Sequence, residues 1–456
     1  MRRSVSILAF FLLLCCTDRG PSPRADAILL VTIDTCRADR IGCYGNDAGY
    51  TPTLDRLARE GAQFLDCTVQ VPTTLASHVT ILASLHPRNH GVPRNGFLLP
   101  ADVRTVAQIF REEGFRTAAF VAAFPLDHSF GLDRGFERYD DETETRPEGG
   151  ELERDAGAVT VRAADWLREV GEEPFFLWVH YFDPHWPYAP PDPYARLSRQ
   201  PVGPYDPADM DDLHAARAAA PPFGAEELRP FTSAYDGEIA FVDRNLRLLL
   251  EAVPPARRER LLTVVTSDHG EGLGEHRYYF DHGEFLWESA IRVPLLIHSP
   301  LLLPESLVVG SPVRALDIAP TLLEAGGLSV PGAMEGRSLL AAGEGRLPPS
   351  LSFSEASKPW GVETPGEYQN RHKAKAIRTD RWKLVVTPFL DREQLFDLVS
   401  DPGEDRNVSL LERERADSLA EVLTAWLAET DPGFEEGDLT AKSELREKLK
   451  ALGYSR

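Results

Sequence analysis

The sequence predicts an α/β protein: a mostly parallel or mixed sheet sandwiched by helices, followed by a smaller C-terminal α+β subdomain. Three observations carry that expectation. From Ala27 onward, short apolar runs rich in β-branched residues alternate with helix-like segments. The first run, Ile28-Leu29-Leu30-Val31-Thr32-Ile33, is continuous rather than alternating, as a strand covered on both faces requires. A Gly- and Pro-rich stretch over 327–349 then breaks the rhythm before shorter strand-like runs resume.

Taken in order, a helix is expected over about 53–60, stopped by Gly61, and a strand over about 63–69. Residues 77–85 and 103–113 read as helices, the second stopped by Gly114, and 117–122 reads as a strand. Residues 175–179, 261–266 and 293–298 are three further apolar strands. Such sheets bind ligands at the carboxyl ends of their strands. The segment 189–230, rich in Pro, Ala and Asp, reads as a surface excursion or lid near that edge. Beyond the break, 374–387 and 394–398 read as strands, closed by a helix over about 410–429.

The chain has 456 residues, 43% hydrophobic and 26% charged, which suits a folded protein and excludes disordered and fibrous classes. Asp and Glu total 71 against 49 Lys and Arg, a formal net charge of −22 that argues against a nucleic-acid partner. Arg2 and Arg3 precede an apolar run over 5–14 that ends at Cys15-Cys16. The run is too short to span a membrane and reads as an export signal, with Cys15 or Cys16 as a lipidation site if it is a lipoprotein leader. The expected location is the periplasm or cell envelope, with a lipid anchor in the second case. The expected division is a leader over 1–20, a catalytic domain over 25–345, a subdomain over 350–432 and a charged tail over 433–456. Cys36, Cys43 and Cys67 read as small buried hydrophobes rather than a disulfide scaffold.

Asp34 follows the first strand, and Asp268 and His269 follow the strand over 261–266. Two strand ends thus deliver two carboxylates and an imidazole to one sheet edge, a donor set that suits a divalent cation. Each residue alone is equally readable as a helix cap. Thr74 and Ser77 precede a helix, where an anion or a hydroxyl meets free N–H groups, and either is equally readable as the N-cap.

The run ILLVTIDTCRADRIGCYG over 28–45 resembles the opening of sulfatases of the alkaline phosphatase superfamily. So do PTTLASHVTILASLHPRNHGV (72–92), FFLWVHYFDPHWPYAPP (175–191), TSDHGEG (266–272) and HGEFLWESAIRVPLLI (282–297). AIRTDRWKLV (376–385) and LFDLVSDPGEDRN (395–407) resemble the sulfatase C-terminal subdomain. The resemblance implies an alkaline-phosphatase-like fold and a metal-dependent hydrolase of sulfate esters. It implies Asp34, Asp268 and His269 as metal ligands, with Thr74 at the nucleophile position and also on the metal. It places His78 where the family motif carries Arg, His185 near the leaving group, and His282 at a position that carries Lys or His.

Three departures are visible. Thr35 stands where many sulfatases have a second aspartate, Thr74 replaces the Cys or Ser that becomes formylglycine, and the segment 120–130 lacks the sulfate-gripping motif. A formylglycine hydrate expels sulfate by elimination, whereas a sulfated Thr must be attacked again at sulfur. The alternatives are therefore a phosphodiesterase or phosphotransferase of the same superfamily using Thr74, or a non-catalytic relic. Ca2+ is the cation implied by the family, and Zn2+ or Mn2+ if the chemistry is phosphoesterase-like. Asp183, His185 and His282, with His276 in reserve, are the residues for a second metal. The partner is expected to be a small-molecule or glycan ester.

Overall fold

The structure, a computed structural model, describes residues 24–145, 152–197, 205–219, 223–359 and 372–429, together with 362, 367–368 and 434–435. The leader over 1–20, with Cys15 and Cys16, lies outside these residues, as does the tail over 433–456 apart from Phe434–Glu435.

Among the described residues the central sheet has nine strands. Along its main path the order is Leu307–Val309, Ala62–Thr68, Arg292–His298, Leu261–Ser267, Ala27–Ile33, Phe175–Tyr181, Arg116–Phe120 and Arg138–Asp140, while Val313–Arg314 also pairs with Ala62–Thr68. From Leu261–Ser267 to Arg138–Asp140 neighbouring strands are parallel. Arg292–His298 is antiparallel to both of its neighbours, so the sheet is mixed. Ala27–Ile33, Phe175–Tyr181 and Leu261–Ser267 are buried at every position, which requires cover on both faces and explains their unbroken apolar sequences.

The expected helices are present with shifted ends. Pro52–Glu60 starts on a proline at its first position, where the missing N–H costs nothing. Thr74–Ala83 is buried along its whole length. Val106–Glu112 opens with a capping box between Thr105 and Gln108. Among its described residues, the excursion holds the helix Met210–Ala219 and the first turns of the 28-residue helix Ala225–Ala252. Pro230, inside that second helix, concealed its start.

The smaller sheet is antiparallel, in the order Ser352–Glu355, Lys375–Arg378, Trp382–Thr387 and Arg392–Asp397. The expected strand over 374–387 is in fact two strands, because Thr379 Oγ1 accepts from the backbone N–H groups of Arg381 and Trp382 and turns the chain. Helix Arg413–Glu429 covers this sheet over a small core of Ile377, Leu384, Leu395, Ala416 and Leu423. Buried Lys383 joins this unit to the main body through Glu288 (3.0 Å), and also pairs with Glu404 (2.6 Å). Cys36 and Cys67 are buried and Cys43 is half-buried, all as free thiols.

Candidate active site

Asp34 and Asp268 meet because their strands are in register. Ile33 stands opposite Ser267 on one side and Tyr181 on the other, so the next residue of each strand emerges at one level of the sheet edge. Thr35 then turns the chain in the left-handed region (φ +51), a conformation a β-branched residue resists. Two bonds hold it there: its N–H donates to Asp268 Oδ1 (3.2 Å), and its carbonyl accepts from the Tyr235 hydroxyl (2.6 Å). After Asp268 and His269, Gly270 is required because a Cβ there would lie 2.0 Å from the Ser289 carbonyl oxygen.

The ligand atoms of Asp34, Asp268 and His269 lie within 4.8 Å of one another. His269 Nε2 is 3.4 Å from Asp268 Oδ2 and 4.0 Å from Asp34 Oδ1. Its Nδ1 is held by the Gly270 carbonyl (3.0 Å), which leaves Nε2 aimed into the cluster. Both Asp34 oxygens, Asp268 Oδ2, His269 Nε2 and Thr74 Oγ1 are buried and have no hydrogen-bond partner among the described residues. Each such orphan costs about 1–3 kcal/mol. A divalent cation would satisfy all of them at once, so the donor set fits one. Burial pushes Asp34 well above the usual carboxylate range, and Asp268 adds to the rise. Against burial, His269, His78 and His180 hold Asp268 below that range.

Thr74 is the first residue of its helix, and its hydroxyl lies close enough to Asp34 to favour that carboxylate's charged form. Neither Thr74 nor Ser77 is the N-cap: Thr73 holds that position, and Ser77 Oγ donates to the Asp268 carbonyl (2.6 Å). One turn on, His78 has both ring nitrogens engaged, Nδ1 with the Thr74 carbonyl (2.7 Å) and Nε2 with Thr32 Oγ1 (3.0 Å). Burial, reinforced by His180, pushes its pKa down to about 3.

His185 and His282 form the outer wall, their ring centroids 5.5 Å apart, and His282 lies 4.2 Å from His269. His185 Nδ1 is held by the Trp186 carbonyl (2.8 Å), and its ring stacks on Phe182. His282 Nδ1 faces Glu271 Oε1 at 3.4 Å. Burial lowers both histidines, His185 to about 3 and His282 well below its ordinary value, while burial raises Glu271. From the excursion, the Arg217 guanidinium lies 4.3 Å over the Trp186 ring and donates to the Tyr279 carbonyl (3.3 Å), bringing positive charge to this wall.

The second-metal set does not assemble among the described residues. Asp183 Oδ1 instead accepts from the Ala156 N–H at the start of helix Ala156–Val170 (3.0 Å), and His282 turns to Glu271. His276 stacks on Trp287 (3.9 Å) and meets the Gly403 carbonyl, in a separate cavity of about 270 Å³ beside Arg37 and Glu404.

Comparison with known proteins places the chain in a family. The family model described as sulfatase matches residues 26–328, about two thirds of the chain. The chain belongs to the sulfatase family. Residues 274–431 also match the C-terminal region of N-sulphoglucosamine sulphohydrolase. The chain is 26% identical to an arylsulfatase of Clostridium perfringens over 482 aligned positions, covering 91% of this chain and 97% of the relative. Its fold resembles BT4656 in complex with D-glucosamine-2-N,6-O-disulfate (TM-score 0.73, 18% identity, 89% of this chain and 98% of that one). It also resembles the phosphonate monoester hydrolase of Agrobacterium radiobacter (TM-score 0.70, 24% identity, 88% and 95%).

Within this sulfatase fold, the sequence reading missed two residues. His180, for which the motifs suggested no role, comes to 3.4 Å from Asp34 Oδ2. The signal was present in its position on a strand paired with that of Asp34, but the register was not legible. Arg217 had no motif around it, and only the folding back of the excursion places it at the site.

Proposed function

We propose that the chain is a metal-dependent hydrolase of sulfate esters in which Thr74 is the nucleophile and Asp34, Asp268, His269 and Thr74 hold the cation. The observation that carries this reading is Thr74 Oγ1 itself. It is a buried hydroxyl with no hydrogen-bond partner among the described residues, at a helix start, beside a cluster of orphaned donor atoms. A structural threonine in such a place would satisfy its hydroxyl.

When bound, a divalent cation would supply charge stabilisation at an ester oxygen and lower the pKa of the Thr74 hydroxyl. The Thr74 hydroxyl loses its proton to solvent and Oγ1 attacks the sulfur in line, so that a bond from Oγ1 to sulfur forms as the bond from sulfur to the ester oxygen breaks. The leaving alcohol collects a proton from His282 or His185, whose rings are neutral until an anionic ester arrives and favours their protonated form. Water then attacks the sulfated Thr74 at sulfur and releases the anion. His78 acts from behind, holding the first turn of the Thr74 helix through the Thr74 carbonyl.

The carboxylates suit the Ca2+ that the family implies, and the His269 imidazole suits Zn2+ or Mn2+. The sulfated sugar bound to BT4656 supports a glycan or small ester as substrate. The leader supports export to the cell envelope, with lipidation at Cys15 or Cys16. A second reading, hydrolysis of phosphate or phosphonate esters, is favoured by one observation: Thr74 cannot become formylglycine. Turnover of metal-supplemented protein on aryl sulfate, aryl phosphate mono- and diesters and an aryl phosphonate, beside Thr74→Ala, tests both. Sulfate turnover lost in Thr74→Ala supports the first reading, and loss confined to phosphorus esters supports the second. Turnover that survives the substitution removes Thr74 from the mechanism.

A further inference from the structure

His180 has no role in the chemistry above, yet hydrogen-bond accounting gives it one. Thr32 Oγ1 meets three partners, each at 3.0 Å: Trp178 Nε1, His78 Nε2 and His180 Nδ1. A hydroxyl has one proton to give and two lone pairs to offer. The indole N–H can only donate, so it occupies one lone pair. His78 Nδ1 faces the Thr74 carbonyl, which can only accept, so Nδ1 carries the His78 proton. Fully buried, the His78 ring is neutral, and its bare Nε2 accepts the Thr32 proton. The remaining lone pair of Thr32 must then be met by a donor, and His180 Nδ1 carries the proton. These tautomers are assigned from the network.

His180 Nε2 is consequently a bare lone pair. It lies 3.4 Å from Asp34 Oδ2, and neither atom has a hydrogen-bond partner among the described residues. Two buried acceptors facing one another repel unless a proton or a cation lies between them. Donors about 2.0–2.1 Å from one ion at a tetrahedral angle are about 3.3–3.4 Å apart. The His180–Asp34 and His269–Asp268 pairs both show that spacing, at 3.4 Å.

We propose that His180 Nε2 is a donor to the cation held by Asp34, Asp268 and His269. Beside the Thr74 hydroxyl, the resulting two carboxylates and two imidazoles select a zinc- or manganese-class ion over calcium. Imidazole suits those ions, whereas Ca2+ takes oxygen ligands. The inference rests on the proposed cation site.

The test is calorimetric titration of the metal-stripped full chain with Zn2+, Mn2+ and Ca2+ separately, beside His180→Ala and His180→Gln. The glutamine amide can still donate to Thr32 and so guards against a folding defect. Zn2+ and Mn2+ affinities are expected to fall at least about tenfold in both variants while Ca2+ affinity is retained. In the 15N-histidine-labelled wild type, Zn2+ is expected to shift the Nε2 signals of two histidines, one of them missing from the His180→Gln spectrum. A single shifted histidine, or equal losses for all three ions, would overturn the His180 assignment and leave the cation site standing. A wild type that binds none of the three ions would overturn both.

Discussion

Ile33 and Ser267 stand opposite one another on neighbouring parallel strands, and that pairing puts the buried carboxylates of Asp34 and Asp268 side by side. Without a cation, burial first and then the like charge of Asp268 raise the pKa of Asp34, so that it ionises only at higher pH.

A pH dependence follows. Because its pKa is raised, Asp34 binds its proton more tightly folded than unfolded. Its contribution is therefore fully present below the unfolded carboxylate value and is lost as pH rises through the folded one. In chelator, Asp34→Asn is expected to melt higher than wild type, with the gap widening toward alkaline pH, and to lack turnover when metal is restored. Thermal melts at several pH values check this.

Thr74→Val removes the hydroxyl and keeps the shape. Since Thr74 Oγ1 has no hydrogen-bond partner among the described residues, the variant is expected to be as stable as wild type or up to about 2 kcal/mol more stable. Turnover is expected to fall at least about 1,000-fold. Urea unfolding beside steady-state kinetics separates the two effects, and a variant that loses stability and activity together would point to a structural threonine.

His282→Gln tests proton delivery. The loss is expected to be about 100-fold or more for alkyl esters, whose leaving groups need a proton, and much smaller for 4-nitrophenyl esters. A series of esters of graded leaving-group acidity should show a steeper dependence in the variant.

Lys383→Met tests the joint between the two sheets. It leaves Glu288 with Arg378 alone and strips Glu404 of the buried cation 2.6 Å away. A destabilisation of about 3–5 kcal/mol is expected by denaturant unfolding.

Much of this was legible in the sequence, and the reasons are physical. Strands covered on both faces must be apolar throughout, so Ala27–Ile33, Phe175–Tyr181 and Leu261–Ser267 announced themselves, and the polar residues at their ends marked Asp34, Asp268 and His269. Register is a property of pairs of strands, so nothing local to 175–181 disclosed that His180 faces Asp34 rather than the core. Pro230 masked the start of a helix whose Tyr235 clamps the strained Thr35. Asp183 shared a motif with His185 but serves the Ala156 N–H, because one residue type caps helices and ligates metals equally well. The Arg217–Trp186 contact depends on how the excursion folds back, which composition does not encode.

The central claim is that Thr74 carries the transferred group. The most direct measurement is rapid acid quench of metal-loaded protein mixed with excess aryl sulfate, and in parallel aryl phosphate, followed by peptide mass analysis. A sulfuryl or phosphoryl adduct on the peptide bearing Thr74, absent from Thr74→Val, is the predicted result. A burst of released phenol with the adduct on another residue, or with no adduct at all, would contradict the account.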